Sequence, residues 1–300
     1  MRPTPILSIS SRGFAWLLAA AALLLAGGCA GRPEVPILEQ TGSIAAAQTA
    51  VRLDALLPAD VLLVGEQHDA AAHQEIEQLI VSSLAVRGLL AAVALEMAEV
   101  GVSTAALKPS ATDEQTRSAL KWDNKAWPWK AYGPAVMTAV RAGVPVLGAN
   151  LPRARMQDSM NDSKLDVQLP GPALKAQQQA IRIGHCALLP ENQITPMTRI
   201  QIAKDITMAD TIHQLAFPGK TVVLLTGNGH ADRTLGVPQH LRADLKAKSI
   251  QLRAGDGAGT DRPGAFDGVW PTPPLPATDY CAGLKAKVSA AAQAVLARRA

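Results

Sequence analysis

Two histidines in this chain each follow a glycine by three residues, and each glycine comes at the end of a short apolar run. The two motifs are Gly65-Glu66-Gln67-His68 and Gly227-Asn228-Gly229-His230, and a third apolar run ends at Glu96. Imidazoles and carboxylates together can hold a divalent transition metal or perform acid–base chemistry. One Gly-x-x-His motif is common by chance, so the informative feature is two motifs at equivalent places, together with the glutamate.

Four short apolar runs precede these polar groups and predict the elements that position them. The runs are Val61 to Val64, Ala91 to Leu95, Val144 to Leu147 and Thr221 to Thr226. Runs that are apolar at every residue suit strands buried on both faces of a parallel sheet. Ligands bind beyond the carboxyl ends of such strands. We therefore expect an α/β fold, a mostly parallel central sheet flanked by helices, with the polar groups around one crevice.

The segments between the runs predict helices. His73 to Val86 is amphipathic, and Pro170 to Ile183 and Thr195 to Ala216 are helical by pattern, which indicates a smaller helical subdomain at about 152–217. Arg253 to Gly264 is expected to be a loop, and Phe266 to Trp270 an edge strand. The remaining divisions are a main domain at 49–285 and a C-terminal helix at 286–300.

The N-terminus has the pattern of an export signal. A 13-residue apolar run from Phe14 to Ala26 follows Arg2 and Arg12, and it is too short to span a bilayer, which needs about 20 residues. The Ala26-Gly27-Gly28-Cys29 ending resembles a bacterial lipobox. That resemblance implies a signal peptide at 1–28, lipidation of Cys29, a tether at 29–48 and an outer-membrane lipoprotein facing the periplasm or cell surface. The alternative is an ordinary cleaved signal with an incidental cysteine.

The composition narrows the function classes. Hydrophobic residues make up 48 % of the 300 residues and charged residues 18 %, which excludes a disordered chain. The net charge of +4 falls to +2 once Arg2 and Arg12 are removed, so no nucleic-acid partner is indicated. Cys186 and Cys281 remain beside Cys29. In an oxidising compartment they are expected to form a disulfide, and two unpaired buried thiols are the alternative.

Six segments, in order along the chain, carry a resemblance to a known family. The sequence resembles the haem-binding uptake proteins named ChaN, in a superfamily with the Tiki metalloproteases and the erythromycin esterases, over about residues 36–285. The segments are Val64-Gly65-Glu66-Gln67-His68-Asp69, Ala94-Leu95-Glu96-Met97, Trp129 with Tyr132-Gly133-Pro134, Ala149-Asn150-Leu151, Asp205 with Met208-Ala209, and Gly227-Asn228-Gly229-His230-Ala231, with Gly236-Val237-Pro238 following.

The resemblance implies a non-catalytic protein that binds ferric haem for iron acquisition, as a homodimer, with an outer-membrane haem receptor as a further partner. In that family a tyrosine holds the iron and a histidine assists it, which makes Tyr132 the expected ligand and Tyr280 the weaker candidate. The expected cofactor-binding residues are Tyr132, His68, His230, Glu66, Glu96, Asn228 and Trp129. The resemblance also turns a helical face with Gln201 and Asp205 toward the crevice, although a polar contact between helix and sheet is equally compatible with that face.

Aromatic residues are concentrated around Tyr132. Four of the eight aromatic residues that follow Cys29 lie between Trp122 and Tyr132. Aromatic rings can stack on haem, and Lys121, Lys125 and Lys130 can neutralise its propionates. The alternative is a Trp-rich packing patch between the helical subdomain and the sheet.

Two other functions compete with haem binding. In a metal-dependent hydrolase, His68, His230 and one glutamate, Glu96 or Glu66, would hold the metal, and the other glutamate would be the general base. In a lipid-anchored scaffold the crevice would be vestigial. The polar groups at all four strand ends argue against the scaffold.

Overall fold

The computed structural model describes residues 37–255 and 262–286, with side chains from residue 45 onward. The predicted signal peptide, the Cys29 lipidation site and most of the predicted C-terminal helix lie outside these ranges. None of the helices in the described ranges is both long and apolar enough to traverse a bilayer.

A six-stranded parallel sheet forms the centre of the molecule, as the pattern of apolar runs predicts. The strand order is β3-β2-β4-β1-β5-β6, so the two strands that carry the Gly-x-x-His motifs, β1 and β4, are neighbours. In their register Glu66 lies beside Gly227. The strands are β1 (Val61–Glu66), β2 (Leu90–Glu99), β3 (Val146–Asn150), β4 (Thr221–Gly227), β5 (Ala247–Ala254) and β6 (Gly268–Thr272).

Helices cover both faces of this sheet. They are α1 (Ile37–Asp54), α2 (Ala71–Val86), α3 (Asp113–Ala119), α4 (Trp129–Arg141), α5 (Met156–Asn161), α6 (Gly171–Gly184), α7 (Glu191–Leu215) and α8 (Asn228–Ala231). Alternate residues of the central strands enter two separate cores. Leu62 and Val64 pack with α2 and α4, whereas Val61 and Leu63 pack with α7. Burial on both faces explains why the strands are apolar at every residue.

The chain between β3 and β4 is helical, as expected for about 152–217. It contains α5, α6 and α7, and the short 3₁₀ segments Arg153–Arg155 and Ser163–Val167. Helix α7 begins at Glu191, earlier than the predicted start at Thr195, and Pro196 lies inside it.

Two segments differ from the expectations. Strand β5 was not predicted, and it includes Arg253 and Ala254 from the expected loop 253–264. It lies near the sheet edge, where it pairs with the short strand β6, and its sequence has only isolated apolar residues. Helix α1 begins at Ile37, inside the segment expected to be a tether, where an alanine-rich run favours helix. The predicted edge strand at 266–270 corresponds to β6.

Cys186 and Cys281 form the expected disulfide. The bond joins the turn between α6 and α7 to the C-terminal tail. In that tail Tyr280 donates a hydrogen bond to Asp69, the residue after His68, over 2.5 Å. Two independent contacts therefore hold the tail against the rest of the molecule.

Candidate functional site

The two Gly-x-x-His motifs meet at the carboxyl ends of β1 and β4, and each glycine makes room for the other motif. A Cβ atom on Gly65 would lie 2.7 Å from Oδ1 of Asn228, and one on Gly227 would lie 2.9 Å from Nε2 of His68. Such distances are shorter than real Cβ contacts, so neither position can hold alanine without a shift of its neighbours. The glycines are therefore required by the close approach of the two strand ends.

Glu66 is the centre of the first half of the site. Its carboxylate is buried and accepts hydrogen bonds from the hydroxyl of Tyr132 at 2.8 Å and from Gln74. Nδ1 of His68 lies 2.7 Å from the same carboxylate. This contact fixes the imidazole, and Nε2 then lies 3.9 Å from Glu96 at the end of β2. The His68 side chain is 38 % exposed.

The loop that carries His68 is held from behind by His73. The backbone N–H of Gln67 donates to Nδ1 of His73 over 2.9 Å, and Nε2 of His73 lies 3.0 Å from Oγ1 of Thr272 in β6. His73 lies on the buried face of α2, and its two contacts order the turn before His68.

His230 and two carboxylates form the second half of the site. Nδ1 of His230 lies 2.5 Å from Asp205 on α7, and Nε2 lies 3.4 Å from Glu96. The amide of Gln201 is 3.0 Å from Nδ1. Glu96 also accepts hydrogen bonds from the Thr226 hydroxyl and the Gly227 N–H, both at 2.8 Å. All of these groups except Gln201 are buried.

The pKa is raised for both histidines, and the shift is larger for His230. Burial alone would lower the pKa of His230, but Glu96 and Asp205 raise that pKa to about 10, so the ring is a cation at neutral pH. Burial opposes ionisation of Glu96 as well, but His230 holds the pKa of this carboxyl well below its usual range. The pKa of His68 is raised more modestly, because the hydrogen bond that its Nδ1–H donates to Glu66 and the charge of Glu96 outweigh burial.

Tyr132 and Glu77 are buried side chains near Glu66. Tyr132 is 1 % exposed, and burial together with the charge of Glu66 raises the pKa of its phenol. Both oxygens of Glu77 are buried without a hydrogen-bond partner in the described part of the chain. Burial and the nearby Glu66 charge raise the pKa of Glu77 well above its usual range.

The family assignment rests on most of the folded region. The sequence profile described as haem-binding uptake, Tiki superfamily, ChaN matches residues 52–241. The chain belongs to this ChaN family.

Solved structures similar to the chain include a ChaN protein and an erythromycin esterase. The structure of cofacial haem binding to ChaN of Campylobacter jejuni is 27 % identical and has a TM-score of 0.58, covering 71 % of this chain and 87 % of that one. A mutant of the erythromycin esterase EreC in its open conformation is 14 % identical, with a TM-score of 0.41 and coverage of 72 % and 77 %. No curated protein matches the sequence.

The predicted ChaN site residues fall into two groups. His68, Glu66, Glu96, His230 and Tyr132 come together at the strand ends. Asn228 and Trp129 point elsewhere: Asn228 donates to the Leu252 carbonyl of β5 at 3.3 Å, and Nε1 of Trp129 donates to Asp113 at the start of α3 at 2.8 Å.

Trp127 occupies the place expected for Trp129. Its ring lies 4.9 Å from the ring of His68, measured between centroids, and 5.9 Å from that of Tyr132. Both tryptophans belong to the aromatic run noted in the sequence. Their different orientations depend on the start of α4 between them, which the sequence pattern did not locate.

The metal set predicted for a hydrolase is not assembled. In residues 37–255 and 262–286, no group of three or more His, Cys, Asp or Glu side chains is arranged to hold a metal ion. Nε2 of His68 is 3.9 Å from Glu96, which is beyond hydrogen-bond distance.

Proposed function

We propose that this protein binds ferric haem in the crevice beyond the carboxyl ends of β1, β2 and β4. The observation that carries the proposal is the state of His68. Glu66 holds one of its nitrogens, the other lies beyond hydrogen-bond distance of Glu96, and the partly exposed ring lies beside that of Trp127. This is the arrangement of a histidine ligand that a hydrogen-bonded carboxylate orients and makes more basic. Membership of the ChaN family supports haem as the bound molecule.

His68 suits the iron better than Tyr132 does. The phenol of Tyr132 is almost completely buried, donates its proton to Glu66 and has a raised pKa, so forming the phenolate would place a second negative charge against a buried carboxylate. In the geometry observed, Tyr132 supports His68 through Glu66. When bound, haem would supply the iron centre and a flat apolar ring, which Trp127 can contact.

The experiment is a titration of the purified mature protein with ferric haem, followed by its absorption spectrum. We expect a stable complex whose spectrum changes in His68→Ala and persists in Tyr132→Phe, with His213→Ala as the matched control outside the crevice. Absence of binding by the wild-type protein would reject the proposal. Loss of the spectrum in Tyr132→Phe with retention in His68→Ala would transfer the ligand role to Tyr132.

We also propose that the mature protein is a lipoprotein anchored at the outer membrane through Cys29. The export signal and the Ala-Gly-Gly-Cys sequence support this assignment. The disulfide is consistent with an oxidising compartment. Metabolic labelling with palmitate should mark the wild-type protein and not Cys29→Ser, and the variant should leave the membrane fraction. Labelling of both would contradict the assignment.

The biological role that we propose is haem and iron acquisition, with the protein acting as a homodimer that receives haem from an outer-membrane receptor. Cofacial haem binding in the C. jejuni ChaN supports the dimer. Sedimentation with and without haem would measure the assembly, and growth with haem as the sole iron source would test the role. A monomer both with and without haem would reject the homodimer. Unimpaired growth of a deletion strain on haem would reject the role in iron acquisition.

A further inference from the structure

A cavity of about 420 Å³ opens beside the crevice at the carboxyl ends of β2 and β3. Glu96 and Trp127 line it, so it is continuous with the groups around His68. Its walls also carry three cations from three separate parts of the chain: Lys121 after α3, Arg153 after β3, and Lys204 on α7.

These cations have no acidic partner among the described residues. No carboxylate of residues 37–255 or 262–286 forms an ion pair with Lys121, Arg153 or Lys204. The charge of Lys204 acts on the adjacent Asp205, but the two groups form no ion pair.

The acids that line the same cavity already have donors. Glu96 is bound by Thr226, Gly227 and His230. Glu99 accepts the backbone N–H of Arg153 at 3.0 Å, and Asp123 accepts those of Lys125 and Ala126 at 3.0 and 3.2 Å. The cavity therefore presents three cations without ion-pair partners, whereas each of its three carboxylates already accepts a hydrogen bond from a neighbouring residue.

We propose that this cavity, bounded by Lys121, Arg153 and Lys204, binds the carboxylate-bearing edge of the ligand, and so sets how haem is oriented in the crevice. The inference rests on the proposed function, because haem carries two propionates on one edge. Its apolar ring would then lie toward Trp127 and its iron toward His68. Guanidinium and ammonium groups are the usual protein partners of carboxylates.

The position of the cations also separates this site from the one that the sequence suggested. Lys121 lines the cavity, but Lys130 lines a different groove, between α2 and α4. Lys125 is exposed outside both of these cavities. Arg153 and Lys204 are distant from Lys121 in sequence, and only the fold brings them to the same cavity.

The test measures the affinity of three probes for the full mature chain: ferric haem, iron-free protoporphyrin IX, and haem dimethyl ester in the same detergent. In the variant with Lys121→Gln, Arg153→Gln and Lys204→Gln together, we expect haem and protoporphyrin to bind about 30-fold more weakly, and the ester to bind as it does to the wild type. The matched control replaces three exposed residues outside the cavity by glutamine: Lys108, Arg141 and Lys175. It should change the affinity for none of the three probes.

The outcomes distinguish this inference from the haem proposal. His68→Ala should weaken haem and leave protoporphyrin unchanged, since the latter has no iron. If the cavity variant binds haem like the wild type, the cavity assignment alone is overturned. The same holds if the variant binds the dimethyl ester as much more weakly as it binds haem, or if the control variant weakens haem binding to the same extent. If the wild-type protein binds no haem, both proposals are rejected.

Discussion

The two halves of the crevice have the same sequence pattern, but their histidines differ in exposure and in the number of close carboxylate contacts. His68 and His230 each follow a glycine by three residues at the end of a buried strand. His68 is 38 % exposed, with one nitrogen available to a ligand, whereas the side chain of His230 is 7 % exposed and forms close contacts with two carboxylates. The motif places a histidine at the strand end, and the neighbouring elements decide its role.

The deciding element is α7. It supplies Asp205 and Gln201 to His230, and no residue of α7 forms a hydrogen bond or ion pair with His68 among the described contacts. A buried imidazolium between two carboxylates is an internal charge cluster that holds α7 against the sheet. The imidazole of His68 is 38 % exposed, is held by Glu66 at Nδ1 and lies 3.9 Å from Glu96 at Nε2, and it is suited to ligand binding. We therefore expect changes on the His230 side to affect stability and changes on the His68 side to affect ligand affinity.

Removal of His230 should produce the largest effect on stability. His230→Ala leaves Glu96 and Asp205 buried without their cation, which we expect to lower the free energy of unfolding by about 3–5 kcal/mol. His68→Ala should cost about 1 kcal/mol, because Glu66 keeps Tyr132 and Gln74 as donors. Denaturant unfolding of both variants measures the difference. Equal losses would show that the two halves are energetically alike.

The stability of the wild type should fall in alkaline solution through His230. Its pKa is raised from 6.5 to about 10 in the folded protein, so its contribution is complete below about pH 6.5 and is lost as the pH rises through 10. We expect a loss of a few kcal/mol between pH 7 and 10, less in His230→Gln. The groups that face this imidazole are Asp205 and Gln201 from α7 and Glu96 from β2. Parallel pH curves for the two proteins would contradict the assignment.

On the His68 side, Glu66→Gln should act on the ligand. The amide weakens the hydrogen bond that orients and polarises His68, and changes of this kind usually reduce metal affinity by about 10- to 100-fold. Asp205→Asn makes the same chemical change beside the other histidine and should leave haem affinity within about twofold while lowering stability. Haem titrations of both variants provide the comparison. A larger affinity loss in Asp205→Asn would reverse our assignment of the two halves.

Tyr132→Phe should have the smallest effect. The substitution removes one buried hydrogen bond to Glu66, and Gln74 and His68 remain as donors, so we expect a loss of about 1 kcal/mol. Thermal unfolding measures it. Destabilisation as large as that of His230→Ala would mean that the phenol is an essential part of the core.

The sequence predicted the groups that sit at strand ends better than the groups that contact them. Runs such as Val61 to Val64 identify buried strands, and parallel strands necessarily bring their carboxyl ends to one edge. The burial of Tyr132 and the exchange of roles between Trp127 and Trp129 were not predictable, because they depend on where α4 begins and how it packs on α2. Strand β5 was missed since a strand near the sheet edge needs no continuous apolar run.

The disulfide between Cys186 and Cys281 has a topological consequence. The bond spans 95 residues of sequence and closes a covalent ring that includes α7, β4, β5 and β6. Tyr280, next to this bond, reaches Asp69 outside the ring, beside His68. In a chain produced in a reducing cytoplasm this covalent ring would be open, and the hydrogen bond between Tyr280 and Asp69 would have to hold the tail without it. Protein prepared from a reducing and from an oxidising compartment would therefore differ in covalent structure near the edge of the crevice.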